Sequence, residues 1–266
     1  MGKTIGFIGA GNMGGAICGA LVGSQLFDGK DIFVYDKAAK KAEELAALRG
    51  VQSADVQTAA AADYVLLAVK PNVLYSVIDE IKTLIGKDAV IISIAAGQPI
   101  AKIEAAFGKE IKLMRVMPNT PALVGEGMSA LCPNKALCAD TDEVGEVVKI
   151  FESLGKAEVV AEGLMDAVTG VSGSSPAYVF MFIEALADAA VMAGMPRGMS
   201  YTFAAQSVLG SAKLMLETGK HPGELKDMVC SPAGTTIEAV RVLEEKGLRS
   251  AVIEAVRACV DKSRSM

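Results

Sequence analysis

The stretch Lys3-Thr4-Ile5-Gly6-Phe7-Ile8-Gly9-Ala10-Gly11-Asn12-Met13-Gly14 governs how the remainder of the 266-residue chain is read. Lys3 to Ile8 is a short, mostly apolar run of strand type. Gly9, Gly11 and Gly14 follow in the G-x-G-x-x-G spacing, and a helix is expected to begin near Met13. In that context each glycine has its own task. Gly9 permits a tight turn, Gly11 lets the backbone approach a pyrophosphate, and Gly14 lets the helix pack closely on the strand. Free N–H groups at the helix start, Asn12 and Met13 among them, receive the anion. Asp36 stands at the end of the next expected strand, 22 positions after Gly14, where a carboxylate accepts hydrogen bonds from the ribose hydroxyls.

That carboxylate would repel a 2′-phosphate and so favours NAD. Lys37, Lys40 and Lys41 follow it directly. They are either a solvated helix face or a source of one inward lysine that holds a 2′-phosphate, so NADP and NAD both stay open.

Outward from the loop, short β-rich runs alternate with helical patterns. Strands are expected at Thr4 to Ile8, Ile32 to Tyr35, Tyr64 to Val69, Ala89 to Ile94 and Ile111 to Met117, with helical segments such as Lys37 to Leu48 and Val73 to Leu84 between them. Apolar runs with little alternation belong to a parallel sheet covered by helices on both faces. The expected fold class is therefore α/β, with an N-terminal Rossmann-type doubly wound domain over residues 1–160. Ala68-Val69-Lys70-Pro71 and Ser93-Ile94-Ala95-Ala96-Gly97 fall where strands end at the crevice. Their backbones, in particular Ala68, Val69, Lys70, Pro71, Ala95 and Ala96, are candidate cofactor contacts or simply turns.

From about residue 161 the chain becomes rich in Ala, Met, Glu and Leu, with breaks at Gly173 to Pro176, Gly194 to Pro196, Gly219 to Pro222 and Ser231 to Gly234. An all-α domain over residues 161–266 is expected, with helices at Pro176 to Ala193, Met199 to Thr218, Glu224 to Val229, Thr235 to Glu245 and Leu248 to about Lys262. Met181, Phe182, Met192, Met199, Phe203, Leu214 and Met215 are many apolar residues for so small a domain. Core packing within one chain or burial against a second subunit would account for them.

Composition narrows the function classes. With 26 basic against 31 acidic residues and a net charge of -5, there is no footprint for nucleic acid or an anionic membrane surface. The five cysteines show no CxxC spacing and there is one histidine, so no metal site is expected and a reducing, cytoplasmic setting fits. The most apolar later stretch, Tyr178 to Met195, contains Glu184 and Asp188, and no transmembrane segment is expected. His221 stands before Pro222 in an inter-helix loop and is expected to be structural or exposed.

The densest chemistry of the second half is Ser231-Pro232-Ala233-Gly234-Thr235-Thr236-Ile237-Glu238. Thr235 as N-cap with Glu238 three residues on would make a capping box. A flexible turn leading into free amides would also suit a small carboxylate, with the Thr236 hydroxyl near a second polar atom of the same ligand.

The run from Leu225 through this segment to Glu244 closely resembles the signature of the pyrroline-5-carboxylate reductases. Ala68 to Pro71, Met117-Pro118-Asn119-Thr120-Pro121, Asp166 to Tyr178 and His221-Pro222-Gly223 resemble the family in the same order. The resemblance covers nearly the whole chain. It implies reduction of the cyclic imine 1-pyrroline-5-carboxylate to L-proline by hydride from NAD(P)H, the last step of proline biosynthesis. It further implies that Ser231 and the amides of Gly234, Thr235 and Thr236 bind the substrate carboxylate. The catalytic residue it implies is Thr236, whose hydroxyl hydrogen-bonds the ring nitrogen. Such enzymes place the imine carbon about 3–3.5 Å from the nicotinamide C4. The resemblance also implies a helical dimerisation domain, a homodimer or a larger assembly of dimers, and a substrate pocket completed by partner-chain helices.

Three positions depart from the family pattern. Ala233 and Ser175 stand where glycine is frequent, and Asp36 stands where many members carry a small polar residue and prefer NADPH. Two other functions fit the opening loop alone. A β-hydroxyacid dehydrogenase would need a lysine early in the helical half, yet none occurs from Leu164 to Gly210. A non-catalytic NAD(P)-sensing protein would have no use for the intact Ser231 to Thr236 segment.

Overall fold

The sheet is built from the runs that combine apolar content with β-branched residues: Ile5–Ile8 (β1), Ile32–Tyr35 (β2), Gln52–Ser53 (β3), Tyr64–Leu67 (β4), Val90–Ser93 (β5), Lys112–Met117 (β6), Gly127–Pro133 (β7) and Gly155–Val159 (β8). The structure is a computed structural model that describes residues 2–265. The helices around the sheet are Asn12–Gly23 (α1), Ala39–Arg49 (α2), Val56–Ala60 (α3), Leu74–Ile81 (α4), Ile100–Phe107 (α5), Lys135–Cys138 (α6), Thr141–Glu152 (α7) and Met165–Val168 (α8). They are followed by Ser175–Met192 (α9), Arg197–Thr218 (α10), Pro222–Val229 (α11), Thr235–Glu245 (α12) and Leu248–Arg264 (α13).

Strand order is β3-β2-β1-β4-β5-β6-β7-β8, parallel except between β6 and β7. β1, β4 and β5 are buried along their whole length, which is why their sequences read as continuous apolar runs. One face packs Phe7, Val34, Leu66 and Ile92 against Ile17 and Leu21 of α1. The other packs Val65, Leu67 and Ile91 against Leu74, Ile78 and Ile103. The chain leaves β1 toward β2 and returns to β4 on β1's other side. This is the switch that opens a crevice above the C-terminal strand ends.

Three strands were not expected from the sequence. β7 runs antiparallel because only residues 118–126 separate it from β6, too few for a helical crossover. β8 then returns parallel to β7 after α6 and α7. β3 is two exposed residues at the sheet edge.

At the sheet end opposite the crevice, the Lys3 ammonium donates to Glu146 at 2.6 Å, Glu143 at 3.0 Å and the Tyr64 hydroxyl at 3.1 Å. Tyr64 in turn donates to Glu146. Burial opposes the charge on Lys3, yet these hydrogen bonds outweigh it and hold its pKa above the ordinary lysine value. Hydrogen bonds from Lys3 and then Tyr64 hold the Glu146 carboxyl below its usual value. A carboxylate with a lowered folded-state pKa stabilises the fold fully above the ordinary carboxylate range, and that contribution is lost as pH falls through the lowered value. Glu146→Gln is therefore expected to cost about 1 kcal/mol at neutral pH, solvent screening included, and the gap to the parent should close in acid. Urea unfolding of both proteins at the two pH values checks this; a gap that persists in acid would assign the loss to packing.

The chain forms two compact units. The first runs to Ser174 and takes in the end of α13 from Cys259; the second is residues 175–258. β8 and α8 thus lie on the sheet side of this division. In the second unit the four-residue link Ala193 to Pro196 folds α9 back on α10. Among the described residues, only Ala187, Ser200 and Ala204 of this unit are buried. Phe180, Met181 and Phe203 are each more than 60% exposed, so most of its apolar surface has no cover within the unit. By length and composition alone, Glu162–Met192 would suffice to cross a membrane.

Candidate functional site

The glycine loop ends β1 and starts α1, and each glycine meets the constraint its position imposes. Gly9 has φ 114°, and a Cβ there would stand 2.6 Å from the Ala68 carbonyl oxygen. A Cβ on Gly14 would stand 2.7 Å from the Gly9 carbonyl oxygen and 3.2 Å from Ala68 Cβ. Gly11 differs: nothing lies within 4 Å of its Cβ position. That open space adjoins the start of α1, whose N-cap is Gly11 and whose first amides receive no side-chain cap. A backbone cradle that any side chain would fill, beside unpaired N–H groups, suits a pyrophosphate.

The cradle opens into a cleft of about 470 Å³ at the C-terminal strand ends. Gly11, Asn12, Met13, Ala68, Val69, Lys70 and Ala96 line it, joined by Ile94 of the segment after β5 and by Met117 and Pro118, to which the sequence reading assigned no cofactor role. Pro71 opens a 3₁₀ turn, Pro71–Val73, and does not line the cleft. Ala95 is buried in the core with Ile91 and Ile100. A larger groove of about 640 Å³ beside Lys109, Lys112 and Lys135, at the start of β6, has none of these dinucleotide-binding features.

Asp36 takes a position that spacing alone does not reveal. Its Oδ2 accepts from the Ala10 N–H at 2.8 Å and its Oδ1 from the Ala38 N–H at 2.9 Å. The carboxylate therefore ties the end of β2 to the glycine loop, alongside the Gly9 N–H donated to the Tyr35 carbonyl at 2.7 Å. Each oxygen keeps a second lone pair, so the brace still leaves acceptors for a ribose. Lys40 is exposed and its nearest acidic partner is Glu44 at 3.8 Å.

In the helical unit, His221 caps α11. Its Nδ1 accepts from the Gly223 N–H at 3.1 Å on an exposed turn, a structural task. The next turn, Ser231 to Gly234, closes through the Gly234 N–H to the Ser231 carbonyl at 3.0 Å. Ala233 adopts φ 55°, the left-handed region that favours glycine. A Cβ on Gly234 would stand 2.2 Å from Ser231 Oγ, so a side chain there would force that hydroxyl to swing away.

The capping box expected at Thr235 and Glu238 does not form. Gly234, extended at φ -81° and ψ 171°, is the N-cap, so Thr235 is already the first helical residue, and Glu238 pairs with Arg241 at 2.8 Å. A glycine cap has no side chain to offer. Among the described residues nothing caps the first amides of α12, and the hydroxyls of exposed Thr235 and half-buried Thr236 have no hydrogen-bond partner. Two adjacent hydroxyls and a set of unpaired amides converge on one helix start, an arrangement that receives a small carboxylate and one further polar atom.

The similarity to known proteins runs the length of the chain. Residues 162–266 match the pyrroline-5-carboxylate reductase dimerisation family, and residues 4–97 match the family described as NADP oxidoreductase, coenzyme F420-dependent. The pyrroline-5-carboxylate reductase of Escherichia coli (strain K12) is 52% identical over 269 residues, covering 100% of this chain and 99% of that protein. Among solved structures, a pyrroline-5-carboxylate reductase from Coxiella burnetii superposes with a TM-score of 0.91 at 34% identity, covering 99% of this chain and 98% of the other. The pyrroline carboxylate reductase of Plasmodium falciparum, solved with NADP bound, gives 0.89 at 33% identity, again covering 99% and 98%. The chain belongs to the pyrroline-5-carboxylate reductases.

Proposed function

We propose that the chain reduces 1-pyrroline-5-carboxylate to L-proline with NADPH or NADH, and that the start of α12 is where it holds the imine. The observation that carries this assignment is the uncapped first turn of α12, with the free hydroxyls of Thr235 and Thr236. The amides of Thr235 and Thr236 and the positive end of the helix dipole bind the substrate carboxylate, while the Gly234 amide, already donated to the Ser231 carbonyl, holds the turn in shape. The Thr236 hydroxyl exchanges a hydrogen bond with the ring nitrogen and so orients the C=N bond. When bound in the cleft of the first unit, the reduced nicotinamide supplies the hydride. As the imine carbon gains hydride its nitrogen must gain a proton. A threonine hydroxyl is too weak an acid to be the source, so the proton comes from water or is already on the imine.

The helical unit self-associates, as the match to the dimerisation family indicates. We assign a homodimer as the smallest assembly, with Phe180, Met181 and Phe203 as part of the covered surface. Burial in that assembly accounts for the apolar character of Glu162–Met192, and the protein works in the cytoplasm without membrane or nucleic acid.

Oxidation of NADPH and of NADH, followed by absorbance, with pyrroline-5-carboxylate and with a panel of β-keto acids, tests the assignment. Turnover confined to the imine is the expected result. Turnover of a β-keto acid in its place would overturn it, and so would cofactor binding with no turnover of any substrate.

A further inference from the structure

Met117 ends β6 and, with Pro118, lines the cofactor cleft. In a sheet that switches between β1 and β4, the adenosine half of a dinucleotide lies toward β2 and Asp36, and the nicotinamide half toward β4, β5 and β6. Met117 is therefore at the reacting end. Behind it, residues Thr169–Gly173 form a π-helical turn, closed by the Ser174 N–H to the Thr169 carbonyl at 2.8 Å. Gly173 comes so near that a Cβ there would lie 2.5 Å from Met117 Cε.

The turn is held from the β6 side by one side chain. Asn119, 9% exposed, donates from Nδ2 to the Ser172 carbonyl at 3.1 Å and accepts at Oδ1 from the Met128 N–H at 2.8 Å. One amide thus links the loop after β6, the start of β7 and the π turn. The flanks are pinned as well: Ser263 donates to Asp166 at 2.7 Å, and Cys259 Sγ lies 3.2 Å from Ser174 Oγ. π turns are rare insertions that concentrate at functional sites. Methionine, with three rotatable bonds, is the core side chain least able to hold a position unaided.

We propose that this π turn is a backstop that sets how far Met117 reaches into the nicotinamide end of the cleft. Gly173 and Asn119 are then positioning residues for hydride transfer. The proposal rests on the cleft being the cofactor site. Gly173 provides the room in which the Met117 methyl lies, and Asn119 fixes where that room is. Neither touches substrate; both act through Met117.

Two variants test this. Gly173→Ala places a methyl 2.5 Å from where Met117 Cε now lies, too close for both, and so displaces the Met117 methyl from its seat. It is expected to lower kcat about tenfold, with the KM for NADPH changed less than about twofold. In the double variant Gly173→Ala with Met117→Ala there is no methyl to displace, so kcat should equal that of Met117→Ala alone. Asn119→Asp keeps the acceptor for Met128 but sets an oxygen against the Ser172 carbonyl. Hydrogen exchange at Gly173 and Ser174 in the cofactor-free protein should quicken about tenfold. The affinity for NADPH, read from the cofactor's own fluorescence, should hold, while kcat falls.

Unchanged exchange at the π turn in Asn119→Asp would overturn the proposal, as would additive effects of the Gly173 and Met117 substitutions on kcat. Should Gly173→Ala fail to fold, the Asn119→Asp exchange and kcat measurements decide alone. If the parent protein proved inactive on pyrroline-5-carboxylate, the assigned reaction would fall. The exchange rates at Gly173 and Ser174 in Asn119→Asp would still decide whether that side chain fixes the turn.

Discussion

Thr236→Ala is expected to lower kcat on pyrroline-5-carboxylate about 100-fold while leaving NADPH affinity within about twofold of the parent. The size follows from what the hydroxyl does. In the ground state it exchanges one hydrogen bond with the ring nitrogen in partial competition with water. During hydride transfer the nitrogen changes its charge and protonation, and a fixed partner is worth about 1.5–3 kcal/mol when one member of the pair is charged. The hydroxyl costs little to organise because no cap or neighbouring side chain competes for it. Carboxylate binding rests on backbone amides that the substitution leaves in place, so KM for the imine should move less than kcat. Thr236→Ser keeps the hydroxyl and should recover most of the rate. Loss of NADPH affinity with unchanged kcat would remove the α12 start from the substrate site.

These features differed in how far the sequence revealed them, and the reasons are physical. β1, β2, β4, β5 and β6 were legible because strands covered on both faces need unbroken apolar runs. β7 was not. Gly127 and Pro133 bound it with turn residues, and its direction depends on the short link from β6 rather than on its own composition. β8, Gly155-Lys156-Ala157-Glu158-Val159, is too polar to stand out. The tasks of Gly9, Gly11 and Gly14 could be assigned because the missing side chain is itself the signal. The contributions of Met117 and Pro118 to the cleft depend on which strand ends lie side by side, which no local pattern encodes.

The helix start at Thr235 shows a subtler limit. The pattern Thr-x-x-Glu is compatible with a cap at Thr235, but Gly234 can cap as well, and the helix begins one residue earlier. That single shift frees the Thr235 hydroxyl and the first amides of the helix beside the Thr236 hydroxyl, and the chemistry of the site depends on it. The π turn has no sequence signal at all: its i→i+5 closure at Ser174 needs the tertiary link through Asn119 to be recognised.

Asp36→Ser is expected to have two separable effects on cofactor binding. Spacing alone predicts a switch of preference, since removing the carboxylate removes its repulsion of a 2′-phosphate and its acceptors for the ribose of NADH. The hydrogen bonds to Ala10 and Ala38 add a second effect. Serine is one atom shorter and can reach the Ala38 N–H as a local turn, but not also the Ala10 N–H across the loop. Freeing that part-buried amide costs about 1–3 kcal/mol, part of which appears as a looser loop and weaker binding of either cofactor. NADH affinity should therefore fall about 100-fold, about tenfold from the lost brace and about tenfold from the lost ribose contact. NADPH affinity should fall by no more than about tenfold, because relief of charge repulsion opposes the loss of the brace. Asp36→Asn separates the two effects, since its carbonyl can keep the Ala10 hydrogen bond after the charge is gone. Dissociation constants for both cofactors with the parent and the two variants decide the matter. Equal losses for NADH and NADPH in Asp36→Ser would mean that the carboxylate never meets the ribose. A changed ratio with undiminished NADPH affinity would mean that the loop keeps its shape without the brace.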